Sequence, residues 1–316
     1  MNNIIEGNQT QAIENFHQAR RQAVIDKLTA SLTGRPLEML PFDPVRTELR
    51  QQNPFYRGLQ EIPLDLIVGS VGRYREFTRR FMPLSDNLVQ RWTNIDLMAE
   101  EIGWPPIDAY LVGGVFFAND GNHRVSVARY LEMNTIEAYV WEYPVSVKIN
   151  PDDTLDDVLI RLGQQNFVEK TKLNKLFPDH TIEFTTPGRY AELLAQIHDF
   201  QQKLAIIDDT AVSYEDAVAA WYEMKYLPTV QIIKDSTLLE DFPGRTEADL
   251  YAWLSLYHDK LGEIYGDYEN FADLAQILAD HHKKGSIKQV TRRVRHLLGH
   301  HELPPLAPII PNSLST

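Results

Sequence analysis

The chain has 316 residues with 43% hydrophobic and 24% charged side chains, enough for two ordinary domains and typical of a folded globular protein. It contains no cysteine, which excludes disulfides, thiolate zinc sites and a thiol nucleophile. Its net charge of −13 is uneven: residues 151–280 carry 10 Lys/Arg against 25 Asp/Glu, while 281–316 carry 6 against 1. The acidic middle repels phosphate backbones, so extended nucleic-acid binding is not expected there. No apolar run reaches membrane-spanning length and the first residues lack a signal-peptide core, so a cytoplasmic protein without a membrane anchor is expected.

Taken in chain order, apolar residues from Ala12 to Leu32 recur at helical spacing and predict a helix over 9–32, stopped by Gly34 and Pro36. A short helix and loop follow over 41–58, with Pro44 near the start. Residues 62–68 (IPLDLIV) read as the first strand, and 74–82 as a short helix closed by Pro83. Residues 84–102 read as a helix, broken by Pro105 and Pro106. Two strands, 107–112 and 115–118, are joined by Gly113 and Gly114, a hairpin signal. A helix over 125–133 and a closing strand over 136–141 complete an α+β domain with a small mixed sheet. The second half reads as mainly helical, with helices over 154–162, 190–204, 214–226, 247–265, 271–282 and 287–298. Short strands are expected at 181–185 and 230–233, and residues after 303 hold four prolines and read as a flexible tail. The expected organisation is an N-terminal helix and linker (1–44), an α+β domain (45–150), a helical acidic domain (151–300) and the tail (301–316).

The segment from Ala118 to Arg129 (ANDGNHRVSVAR) carries the most chemistry. A strand ends, a glycine turn follows, and a helix begins within five residues. Free backbone N–H groups at a helix start attract anions. Cations there oppose the helix dipole, so His123 and Arg124 call for a reason, and a bound phosphate supplies one. Gly121, Asn122, His123, Arg124 and Ser126 are thus candidate phosphate contacts. Asp120 is the candidate base or magnesium ligand, and His123 a candidate proton carrier. The plain alternative is an Asp-Gly turn with Asp120 or Asn122 capping the helix. A second cluster, residues 69–80 (GSVGRYREFTRR), holds four arginines after two glycines. Ser70 and Arg73 could face the first loop, with Arg73 and Arg80 on one helix face; alternatively Arg75 and Arg79 pair with acidic residues of the second half.

The stretch from Ile62 to Tyr143 resembles the N-terminal domain of the ParB/sulfiredoxin-like superfamily. The resemblance rests on the opening IPLDLIV strand, Pro106-Ile107 before the hairpin, the Gly121-Asn122-His123-Arg124 signature, Ala128-Arg129 and the closing IEAYVW strand. It implies a ParB-like fold whose loop and helix start hold the phosphates of a nucleotide, with Gly121, His123 and Arg124 as contacts. Members include CTP-dependent DNA clamps, ATP-dependent sulfinic-acid reductases, amino-acid kinases and nucleases. Asn122 stands where sulfiredoxins carry their cysteine, so sulfinic-acid reduction through that thiol is excluded. The loop also lacks the Glu and second Arg of partition proteins, and no helix-turn-helix follows, so a DNA clamp is not expected. The resemblance implies a nucleoside triphosphate (ATP or CTP) with Mg2+, used for phosphoryl transfer or hydrolysis, or sensed by a regulator that binds a protein partner through the helical half. The ligand could equally be a phosphorylated small molecule.

In the second half, Thr246 and Asp249 have capping-box spacing, and Leu250, Trp253, Leu254 and Tyr257 form an apolar stripe. Phe242 to Tyr251 (FPGRTEADLY) is similar to a segment of uncharacterised bacterial proteins that also carry the GSVGRY and DGNHRVSVAR segments. Arg245 has no evident local partner and is a candidate second contact to the nucleotide. His281, His282, His296, His300 and His301 lack a zinc-site pattern, and no metal site is expected.

Overall fold

The computed structural model describes residues 2–49, 52–101, 103–236, 238–256, 273 and 275–277. The expected helices at 271–282 and 287–298, the basic stretch and histidines after 280, the proline tail and Tyr257 lie wholly or mainly outside these residues. The protein is α+β with a six-stranded mixed sheet and many helices. It divides into two compact units, Met1–Leu162 and Gly163–Thr316. No described helix is long and apolar enough to cross a membrane.

The first unit opens with helix α1 (Asn2–Thr33), ended by Gly34 at φ +70°, whose N–H bonds Ala30 O at 2.9 Å. Ala12, Phe16, Ala19 and Ala23 are buried at helical spacing. The other apolar residues of the expected stripe, Ile13, Val24, Leu28 and Leu32, are exposed, so the sequence period overstates the buried face. Strand β1 (Leu40–Pro41) and helix α2 (Phe42–Leu49) follow.

The expected strand at 62–68 is instead three pieces. Strand β2 (Phe55–Pro63) ends at Pro63, a 3-10 turn spans Leu64–Leu66, and strand β3 (Ile67–Ser70) begins beyond it. Proline cannot donate to a ladder, and β2 ends where that donor is missing. The expected helix at 74–82 is a loop. Thr78 N bonds Met82 O at 2.8 Å, and Phe81 takes φ +60°, which turns Phe77, Phe81 and Met82 all into the core. Arg73 and Arg80 therefore share no helix face. Arg79 forms no close ion pair among the described residues; its guanidinium bonds the carbonyls of Glu38, Pro151 and Asp153 and feels the nearby charges of Asp152 and Asp153.

Helix α3 (Val89–Glu101) precedes the hairpin of β4 (Ile107–Val112) and β5 (Val115–Ala118), joined through Gly113 and Gly114, both at positive φ. Helix α4 (Asn122–Tyr130) and strand β6 (Thr135–Tyr143) complete the sheet. The strand order is β1-β3-β5-β4-β6-β2. β3 runs parallel to β5, and β4 parallel to β6, while β4–β5 and β2–β6 are antiparallel. One core holds Phe16, Trp92, Ile107, Ala109, Val125, Ala138 and Val140; the other holds Phe42, Val45, Val112, Phe117, Tyr143 and Val158. Gly69 is where β3 passes closest to its neighbours: an added Cβ would collide with Leu40 O and lie 2.5 Å from Phe117 Cδ1.

The division between units falls within α5 (Leu155–Thr171). The second unit contains α6 (Leu173–Leu176), α7 (Arg189–Ile207), α8 (Tyr214–Trp221), a π-helical turn (Tyr222–Tyr226), α9 (Leu227–Asp235) and α10 (Glu247–Leu256). The expected strand at 230–233 is part of α9, where Val230 and Ile233 are buried at helical spacing. The expected strand at 181–185 is non-strand backbone, held at Thr185 by Asp249. The capping box forms in both directions: Asp249 N bonds Thr246 Oγ1 at 3.1 Å, and Thr246 N bonds Asp249 Oδ2 at 3.0 Å.

Candidate functional site

The end of β3 and the start of α4 lie side by side because β3 and β5 pair, with Ser70 opposite Ala118. The backbone continues that pairing, Val71 N bonding Ala118 O at 2.9 Å. Asn119 and Asp120 then direct their N–H groups to Asp108 O, at 2.8 and 3.2 Å, and turn the chain into Gly121. Gly121 takes φ +93° and precedes α4 with no side-chain cap. A Cβ there would also collide with the Ile107 side chain, so both backbone angle and space demand glycine. Neither Asp120 nor Asn122 caps the helix, contrary to the plain turn reading.

Ser70 and Asn122 meet in the buried interior, the serine hydroxyl donating to Asn122 Oδ1 at 2.9 Å. His123 is 4% exposed, and both ring nitrogens are buried without a hydrogen-bond partner. Its ring packs edge-on against Phe77, 5.3 Å between centroids. Burial, reinforced by the positive charges of Arg91 and Arg73, pushes the imidazole pKa down to about 4. His123 is thus neutral at pH 7, with one N–H donor and one acceptor.

The other candidate side chains are engaged within the protein. Arg124 does not reach out for an anion: Nη1 donates to Pro105 O at 2.7 Å and Pro106 O at 2.8 Å, and Nη2 pairs with the Asp120 carboxylate. It clamps the loop. Asp120 is accordingly ion-paired with Arg124, which engages it away from a role as base or magnesium ligand. Ser126 is fully buried and accepts the Trp92 indole N–H at 2.9 Å, fixing α3 against α4. Arg73 stays half-exposed in its turn at φ +34°, in an ion pair with Glu76 at 3.3 Å. In the second unit Arg245 has a partner distant in sequence, bonding Thr185 Oγ1 at 2.5 Å. Sequence reasoning missed Arg91: it acts on His123 only because Trp92 pins α3 to α4, a contact no local pattern announces.

The arrangement offers a glycine-preceded, uncapped helix start, a buried neutral donor, an oriented Ser–Asn pair and two arginines felt at the imidazole. Among the described residues no group of three metal-ligating side chains forms. A solved structure of sulfiredoxin from Arabidopsis thaliana is similar over 26% of this chain and 82% of that one, with 24% identity and a TM-score of 0.21. No family model matches the chain, and no curated protein is significantly similar to it. The site stands on the chain's own geometry.

Proposed function

We propose that the first unit binds a nucleoside triphosphate, ATP or CTP, by its phosphates at the start of α4. The observation that carries this reading is His123: two buried, unpartnered ring nitrogens beside an uncapped helix N-terminus. A buried polar group without a partner costs roughly 1–3 kcal/mol, and an anion accepting its N–H would remove that cost. Backbone N–H groups at positions 121–123, Asn122 and the Ser70 hydroxyl would surround the phosphates, with Arg73 and Arg91 supplying long-range charge. Mg2+ would travel on the phosphate oxygens, since the nearest expected carboxylate, Asp120, is engaged by Arg124.

The reading is a nucleotide sensor whose helical half binds a protein partner, in preference to a phosphotransferase or NTPase. Both residues expected to move protons are otherwise committed: Asp120 in its ion pair, and His123 held neutral with a pKa too low for an efficient base near pH 7. Calorimetric titration with ATP, CTP, GTP and UTP, with and without Mg2+, tests it on wild type, Ser70→Ala and His123→Leu. Binding of one nucleotide, weakened at least tenfold in His123→Leu, is expected. Absence of binding to folded protein refutes the site; rapid turnover of the bound nucleotide refutes the sensor.

A further inference from the structure

Among the described residues, one face of the sheet carries large apolar side chains that are only partly covered. Along β6, Ile136, Ala138 and Val140 are buried in the first core. The alternate residues point to the opposite face, where α2 residues Phe42 and Val45 and the α5 residue Val158 share a core with Tyr143, which is 6% exposed. That cover ends at once: Trp141 and Tyr139 are 39% and 40% exposed. Their partners on β2 in the antiparallel register are Tyr56 and Leu59, 52% and 51% exposed. Residues directly opposite in a ladder share a face. Tyr56 and Trp141 touch, with ring centroids 4.9 Å apart. A solvated sheet face normally carries polar residues in these positions; this one carries an aromatic platform.

The same registers place carboxylates around it. Asp108 on β4 pairs with Tyr139, and Glu61 on β2 stands directly opposite Glu137 on β6. Like charges so opposed are destabilising. The one cation of the β2–β6 pair, Arg57 at the bulge, is already ion-paired with Glu142 at 2.5 Å and stacked over Phe55. An exposed aromatic sheet would suit stacked bases of a single strand, but three carboxylates repel phosphates and favour a cation. The free edge of β2 is a poorer docking site, because the register shifts between Tyr56 and Gly58 and such a bulge disrupts further pairing.

We propose that this face of the β6–β2 pair docks a basic segment of a partner protein, with arginine or lysine side chains lying over Tyr139 and Trp141 and pairing with Glu61 and Glu137. Guanidinium groups stack on aromatic rings and bond carboxylates in the same pose. The site is separate from the proposed nucleotide pocket and does not depend on it.

The test uses the full chain and a fluorescein-labelled (Arg-Leu)4 amide, followed by anisotropy. Wild type should bind the peptide in a salt-sensitive manner. Glu61→Gln/Glu137→Gln, which leaves exposed side chains of the same shape, should weaken binding at least fivefold, and Trp141→Ser at least tenfold. Asp208→Asn/Asp209→Asn changes net charge equally at exposed positions in the second unit and should leave affinity within twofold. Equal losses in the two charge doubles would overturn the proposal, as mere attraction of a polycation to an acidic protein. Binding of a dT12 oligonucleotide lost in Trp141→Ser would also overturn it, as would a wild-type dimer in sedimentation that Trp141→Ser dissociates. No peptide binding by wild type refutes it outright.

Discussion

The buried imidazole of His123 makes a pH-dependent prediction whose size follows from its environment. Folded, its pKa lies near 4; unfolded, it returns to the ordinary 6.5. Between these values the unfolded chain binds the extra proton, so stability is complete above about pH 6.5 and is lost as pH falls towards 4. At ~1.4 kcal/mol per pH unit the gap amounts to about 3 kcal/mol. Urea unfolding of wild type and His123→Leu, compared from pH 7 to pH 4, isolates this contribution. At pH 7 the leucine variant should match wild type or exceed it by ~1 kcal/mol, because the unpartnered nitrogens are gone. By pH 4 its relative advantage should grow by about 3 kcal/mol. Pyrophosphate in the pocket favours the imidazolium, so it should raise the His123 pKa and stabilise wild type more at pH 5 than at pH 7. A difference between the two proteins that stays constant to about 0.5 kcal/mol across this range would refute the reasoning. So would a His123 ring resonance titrating near 6.5.

Three other variants probe what holds the site. Arg124→Lys should cost about 2 kcal/mol in thermal unfolding, since an ammonium cannot serve the Pro105 and Pro106 carbonyls and Asp120 with the same planar fork. Trp92→Phe removes the buried bond to Ser126 and should cost about 1–2 kcal/mol, while Trp92→Phe combined with Ser126→Ala should recover part of it; a double-mutant cycle measures the coupling. Gly69→Ala drives a methyl into Leu40 O and the Phe117 ring, and should cost about 1–3 kcal/mol by chemical denaturation, with loss of β1 amide protection in hydrogen exchange.

What could be read in the sequence was local. The Gly113–Gly114 hairpin, the helix after Gly121 and the Thr246–Asp249 capping box each have partners within a few residues, and each forms. β2 escaped reading because most of its residues are exposed on both faces, leaving no alternation to detect. The 74–82 loop escaped because Phe77, Phe81 and Met82 mimic helical spacing, while Phe81 at positive φ obeys the core instead. In the site, residue types announced an anion but not their own partners. Ser70 and Asn122 are 52 positions apart, and Arg124 is claimed by carbonyls that any residue could have supplied. Arg245 looked unemployed only because its Thr185 partner is 60 positions distant.

These long-range partners bear on why His123 is there at all. Its neighbours on α4, Val125, Val127 and Ala128, are buried and apolar, and packing would be served better by a leucine at position 123. Arg73 and Arg91 add further opposition to protonating it. Among the described residues nothing repays the two desolvated ring nitrogens, and the loop is already fixed without them by the Arg124 clamp, the Asp108 carbonyl and Gly121. A local cost on an otherwise satisfied scaffold is the pattern of a site shaped for a ligand. The proposed anion at the head of α4 would satisfy the imidazole N–H and the helix N-terminus together.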